Sequence, residues 1–206
     1  MSSKKKAGSV ARTSARTPAR PGRDLATVLR PALLVAGSDT EFRGMVHDLM
    51  AFAHHIEACR DGFGSIVGLT GVQYEIFMAV KRFRPGAGTA EGIGVGQVAA
   101  RLHRSGAFIT LEVNKLVAKG VLAKSGDPAD GRRVLLSVSK SGEALARTLS
   151  PVQQQVNDVL FACLDRKGFA RLRALASELA GCGDRATALI DYLASNPRGG
   201  AAVRAA

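Results

Sequence analysis

The sequence is poor in the side chains that bind metals and cofactors. It has three cysteines in 206 residues, Cys59, Cys163 and Cys182, widely spaced and with no Cys-x-x-Cys among them. There is no His-Glu-x-x-His and no cluster of acids, so neither a structural zinc site nor a metalloprotease is indicated. Scattered thiols of this kind suit a reducing compartment. The glycine-rich run 84–94 lacks a Gly-Lys-Ser/Thr, which excludes a Walker phosphate loop and leaves a flexible connector. No stretch approaches the ~20 consecutive apolar residues of a membrane span, so no membrane partner is expected and a cytoplasmic location is. Leu25 to Gly37 is apolar enough for a secretory core, yet Arg30 and Pro31 stand in its middle, and it reads as a short leading helix. Acids are scarce: 17 Asp and Glu face 29 Lys and Arg. Nothing in these absences leaves room for a catalytic constellation, a metal or a cofactor, and the chain reads as not an enzyme.

What is present is an α-helical composition with a basic start. Hydrophobic residues make up 46% of the chain and aromatics only 5%, enough for one moderate core built on Ala, Leu and Val. The net charge is +12, but residues 1–23 hold seven Lys or Arg and no acid, so the remainder carries only +5. That first stretch has no apolar periodicity and reads as a disordered basic tail. It is either a solubilising arm or an accessory arm that adds phosphate contacts. The balance favours a polyanionic partner, without separating DNA from RNA or an acidic surface.

The most informative stretch runs from Val95 to Val138. Val95, Val98, Ala99 and Leu102 fall at i, i+3, i+4 and i+7, the stripe of a short amphipathic helix. His103 to Gly106 interrupt it with a polar turn able to cap a helix. Ile109, Val113, Leu116 and Val117 then resume the period until Gly120, where a glycine can end a helix in the left-handed conformation. Two β-rich runs follow, 121–124 and 133–138, joined by Ser-Gly-Asp-Pro-Ala-Asp-Gly-Arg. Two short helices, a sharp turn and a hairpin outline a winged helix-turn-helix, in which the second helix enters the major groove of DNA. Removing its apolar stripe leaves Ser105, Gly106, Ala107, Thr110, Leu111 and Asn114 on the outer face, with His103, Arg104 and Lys115 at the flanks. An asparagine there can read adenine through two hydrogen bonds, and Leu111 can touch a thymine methyl. At the hairpin, Arg133 and Lys124 suit phosphates.

The order Gly-Leu-Thr-Gly-Val-Gln-Tyr, Val-Gly-Gln-Val-Ala-Ala-Arg-Leu, Ile-Thr-Leu-Glu-Val-Asn-Lys-Leu and Asp-Pro-Ala-Asp-Gly-Arg-Arg resembles the multiple antibiotic resistance regulator (MarR) family of bacterial transcription factors, over roughly Glu41 to Leu179. The most specific part is the wing, where Asp130, Gly131 and Arg132 match the family's Asp-x-Arg. The Leu-Thr-x-x-Gly that follows in the family stands here as Val138, Ser139, Lys140, Ser141, Gly142. The resemblance implies that Arg132 enters the minor groove with Asp130 orienting it, that terminal helices pair two subunits, and that a small effector, often an aromatic acid, binds between those helices and the reading head. His55, Arg60 and Tyr74 are the polar candidates for that effector. Cys59 is the candidate for a peroxide-sensing thiol, or else simply packs. Leu111 departs from the polar or basic residue of many relatives.

The fold expected is therefore mainly α with a small β-hairpin wing, a winged helix-turn-helix with long terminal dimerisation helices. Its parts are a basic tail at 1–23, a leading helix and linker at 24–40, a folded domain at 41–196 and a flexible C-terminus at 197–206. Within the domain the winged module occupies about 69–138, and the dimerisation helices 41–63 and 140–194. A helix from Leu69 to Phe83 capped by Thr70 begins the module, and Ile93 adds a small third strand. Beyond the wing, a helix over 141–164 is expected to kink at Pro151, followed by one around Phe169 to Leu179 and a short last one at 186–193. The function expected is a dimeric repressor of a palindromic operator on double-stranded DNA. The alternatives are a thiol-based redox regulator and, from another class, a helical protein-interaction module.

Overall fold

The computed structural model describes residues 26–83, 92–128 and 130–196. The basic tail, the C-terminus from residue 197, most of the glycine-rich run and Ala129 at the wing tip lie outside the described residues. The chain divides into two units, Met1–Ile56 and Glu57–Ala206.

In the first unit the expected leading helix shrinks to one 3-10 turn, Pro31–Leu33, followed by a bridge between Val35 and Ser38. The residue before a proline is pushed out of the α region, and Arg30 accordingly sits at φ −68°, ψ 123°. Asp39 is buried and accepts from the backbone N–H and the hydroxyl of Thr27, both at 2.7 Å, which folds the segment back on the start of the helix. These hydrogen bonds, that from the Thr27 backbone foremost, hold its carboxyl below the usual aspartate value. The first long helix, α1 (Thr40–Ile66), starts here and continues into the second unit. Its stripe of Met45, Val46 and Leu49 stays exposed within the first unit.

The second unit holds the winged module. Helix α2 (Gly71–Lys81) opens on a capping box: Thr70 Oγ1 accepts from the Gln73 N–H while Gln73 Oε1 accepts from the Thr70 N–H. Strand β1 (Ile93–Gly94) leads into α3 (Val95–Arg101), where Gln97 Oε1 accepts from the Gly94 N–H at 2.9 Å. Helix α4 (Gly106–Ala118) follows after a turn, capped by Ser105. The wing is β2 (Leu122–Gly126) and β3 (Val134–Val138). The three strands form one antiparallel sheet in the order β1-β3-β2, with Ile93 opposite Leu136 and Lys124 also opposite Leu136 on the other side. Ile76 and Phe77 of α2, Val98 of α3, Ile109, Val113 and Leu116 of α4, and Ile93 and Leu136 of the sheet are fully enclosed in one core. The period read from the sequence thus puts α4 on the core by one face only.

Helix α5 (Lys140–Leu160) is tied to the end of α4 rather than merely following the wing. Ser139 Oγ donates to Gly120 O at 2.5 Å and accepts from the Gly142 N–H at 3.0 Å, and the Ser139 N–H donates to Val121 O. Gly120 takes φ +70° to end α4, which only glycine does without strain. Pro151 lies inside α5 without ending it; the helix stops at Leu160, four residues short of the expected end, and Val159 near that end is 79% exposed. The two last helices expected are one, α6 (Arg166–Ser195). Gly181 and Gly183 lie between the two expected segments and cost a helix about 1 kcal/mol each, but neither removes a backbone donor as proline does. None of its 30 residues is buried. Leu172, Leu175, Leu179, Cys182, Ala186, Leu189 and Leu193 recur in a three-four spacing along it, the pattern of a coiled-coil seam.

Candidate nucleic-acid interface

Helix α4 buries Ile109, Val113 and Leu116 and turns Ala107, Thr110, Leu111, Asn114 and Ala118 outward, at a spacing of three or four along one face. Its first turn is fixed by Ser105, whose hydroxyl accepts from the Phe108 N–H at 3.3 Å, and by Arg104, whose guanidinium stands 5.8 Å from the Phe108 ring centroid. His103 makes the turn at φ +49°, a conformation usually left to glycine or asparagine. Thr110 donates its hydroxyl proton to Gly106 O at 2.8 Å, so outward it offers a methyl group and an acceptor oxygen. Leu111 is 61% exposed at the middle of the stripe. Among the α4 side chains expected at DNA, Asn114 is therefore the one that carries free amide donors.

The wing adjoins this face at its base. Lys124, exposed on β2, donates from Nζ to Asn114 Oδ1 at 2.6 Å. At the tip the Arg133 N–H donates to Asp130 O at 2.8 Å and Asp127 N–H to Arg133 O at 3.0 Å. Asp130 Oδ1 accepts from the backbone N–H of Arg132 at 3.1 Å, so the carboxylate orients Arg132 through the main chain. Arg132 and Arg133 are both exposed.

Behind the face lies a polar network that periodicity alone did not reveal. Glu112 is on the buried side of α4, only 8% exposed. Its Oε2 accepts from Gln73 Nε2 at 3.0 Å and its Oε1 from Lys115 Nζ at 2.6 Å. Lys119 Nζ completes it, donating to Gly68 O at 2.7 Å and Gln73 Oε1 at 3.2 Å. The hydrogen bond from Lys115, then that from Gln73, hold the Glu112 carboxyl below the usual glutamate value against the opposing effect of burial. Lys115, expected at a flank of the reading surface, is thus spoken for by an acid of its own helix. The signal was in the spacing: Glu112 lies three after Ile109 and four before Leu116, on the buried stripe.

Two of the three effector candidates, Tyr74 and Arg60, are already partnered within the chain. Tyr74 is buried against Phe63, ring centroids 5.6 Å apart, and its hydroxyl accepts from Gln153 Nε2 at 2.5 Å. Burial pushes its phenol above the ordinary tyrosine value. Arg60 Nη1 pairs with Glu75 Oε1 at 3.0 Å. His55 is exposed on α1 in the other unit. Cys59 is half-buried and lines an open apolar groove of about 350 Å³ with Gln155, Val156, Val159 and Leu160. Among the described residues no group of three or more His, Cys, Asp or Glu stands close enough to hold a metal ion, and no single helix is long and apolar enough to cross a membrane.

No family model and no curated protein matches the sequence. Solved structures do. CouR from Rhodococcus jostii, bound to p-coumaroyl-CoA, superposes with a TM-score of 0.56 at 18% identity, over 66% of this chain and 91% of that one. A MarR variant from E. coli complexed with operator DNA gives 0.54 at 17% identity, over 68% and 95%. The MepR–DNA complex of S. aureus gives 0.54 at 16%, over 66% and 96%. At these identities the likeness establishes architecture: this chain has the winged helix-turn-helix fold shared by MarR, MepR and CouR.

Proposed function

We propose that this chain is a MarR-family transcriptional regulator that acts in the cytoplasm as a homodimer, repressing from a palindromic operator on double-stranded DNA until a small effector releases it. The observation that carries the reading is α4 itself, a helix buried on one face whose other face, from Ala107 to Asn114, is exposed beside a wing with Arg132 and Arg133. Apolar groups and one amide suit base edges in a major groove, while a tip arginine suits the negative potential of a narrow minor groove. The solved neighbours include two regulators captured on DNA and one holding an acyl-CoA, which supports a DNA partner and a small-molecule effector for this chain.

A second copy is the partner that the unburied α6 calls for, because a symmetric pair doubles the base contacts of one small reading head. Arg60 and Tyr74 of the second unit and His55 of the first are assigned to the effector; Arg60 keeps guanidinium N–H groups beyond the one paired with Glu75, and the Tyr74 hydroxyl keeps its own proton to donate beside the bond it accepts from Gln153. A redox role for Cys59 is the weaker reading, since the residue packs on the cluster of Phe63, Tyr74 and Leu149. Gel shifts on the DNA upstream of its own gene test the proposal. Arg132→Ala should weaken binding to most sequences and Asn114→Ala should relax the preference at one base pair per half-site by about 1 to 3 kcal/mol. Wild-type affinity and selectivity in both variants would favour the interaction-module alternative.

A further inference from the structure

Asparagine on a recognition helix is ordinarily an adenine reader. Its Oδ1 accepts from adenine N6 while its Nδ2 donates to N7, so reading needs both a donor and an acceptor at the amide edge. In this protein the acceptor is already engaged: Lys124 Nζ sits 2.6 Å from Asn114 Oδ1. The two residues come from different elements, α4 and strand β2, whose register opposite β3 is fixed by five residue pairs. Both side chains are exposed, so the pair is presented outward rather than enclosed. Its partner is a neutral amide, which leaves the ammonium charge uncompensated at the reading surface. The neighbouring cations are directed elsewhere, Lys115 to Glu112 and Lys119 to Gly68 and Gln73.

The donor inventory of the pair follows from its chemistry. An ammonium has three N–H groups and spends one on Asn114, and the amide keeps two N–H groups on Nδ2. Toward a base the pair therefore shows four donors, a full positive charge and at most one remaining lone pair. Guanine, with N7 and O6 both accepting, matches such a surface. Adenine does not, because its N6 amino group would face the ammonium donor to donor; cytosine N4 meets the same objection.

Resting on the DNA-reading function proposed above, we infer that Lys124 is a specificity-determining residue: by binding Asn114 Oδ1 it turns the expected adenine reader of the recognition helix into a guanine reader.

The test uses the full chain and duplexes selected from a randomised pool, followed by titration of four duplexes that differ at one base pair. Loss of preference in Asn114→Ala identifies that pair. There the wild type should favour guanine over adenine by about 5- to 150-fold, the range of one good two-bond contact. Lys124→Met should reverse the order to adenine, Lys124→Arg should keep guanine, and the double variant Asn114→Ala with Lys124→Met should show no order. Melting temperatures confirm that each variant is folded. Loss of a mere phosphate contact would lower affinity for all four duplexes alike. If the wild type selects adenine at that pair, or Lys124→Met keeps guanine, the role of Lys124 is overturned while DNA reading stands. A wild type that enriches no sequence overturns DNA reading itself, and this inference with it.

Discussion

Replacing Glu112 by glutamine should lower stability and raise non-specific DNA affinity together, two effects of opposite benefit from one isosteric change. The carboxylate serves two donors at once, Gln73 Nε2 at 3.0 Å and Lys115 Nζ at 2.6 Å. A glutamine has one oxygen. If that oxygen serves Gln73, the new NH2 group faces the Lys115 ammonium; if it serves Lys115, the NH2 group faces Gln73. Either rotamer sacrifices one charge-assisted bond, which is worth about 1.5 to 3 kcal/mol at a buried site. The Lys115 end is 60% exposed and is discounted for solvent screening, so a net loss of about 1 to 2 kcal/mol is expected. For a domain of this size that lowers the melting temperature by about 2 to 8 °C. The rotamer that serves Gln73 frees Lys115 as a cation beside the outward face of α4. One added phosphate contact steepens the dependence of log affinity on log salt by about 0.9.

Urea unfolding and anisotropy titrations of a scrambled duplex over a salt series measure the two effects. The pH dependence supplies an internal check. Because the folded-state carboxyl lies below its ordinary 4.5, its contribution is complete above that pH and is lost as pH falls through the lowered value. The stability difference between wild type and Glu112→Gln should therefore be constant near neutrality and shrink below about pH 4.5, while the Asp39 titration, common to both proteins, cancels. Equal unfolding midpoints at pH 7 would refute the network, and an unchanged salt slope would refute the release of Lys115.

A methyl group at Gly142 would lie 2.3 Å from Val121 O and 2.8 Å from Val138 Cγ1, so Gly142→Ala should cost about 1 to 3 kcal/mol by chemical denaturation. A variant as stable as wild type would show that α5 is not held against the end of α4. In sedimentation the wild type should be a dimer at micromolar concentration, and Leu175→Asp, which puts a charge on the exposed seam of α6, should be a monomer with reduced affinity for a palindromic duplex. A monomeric wild type that bound the palindrome tightly would overturn the assignment of α6.

The elements of the winged module were legible in the sequence because each carries a local signal that packing then reinforces. The 3.6-residue stripe of Ile109, Val113 and Leu116 fixes which side of α4 is buried. Thr70 and Ser105 mark helix starts through their own hydroxyls, and Gly120 marks an end through its backbone freedom. Ile93 joined the sheet as expected because an isolated β-branched residue next to β3 has a partner waiting at Leu136. Where local signals conflict, the outcome was decided elsewhere. Leu25 to Gly37 reads as helical by apolar content, but from Ala26 onward Pro31 and the hydrogen bonds from Thr27 to Asp39 fold the segment back. The apolar patterns at 169–179 and 186–193 read as two helices, and α6 runs through the glycines between them because nothing there removes a backbone donor.

What the sequence by itself determined, then, is the elements of the winged module and the outward list on α4, since both follow from interactions between residues at most a few positions apart. What only tertiary structure decided is the state in which those side chains are presented. Asn114 and Lys124 are ten residues apart and Gln73 and Glu112 thirty-nine, and no periodicity links them. Strand register carries the first pair together, and the packing of α2 on α4 the second. A hydrogen bond between distant residues depends on where two elements are placed to within an ångström, and that is a property of the packed core, not of either segment.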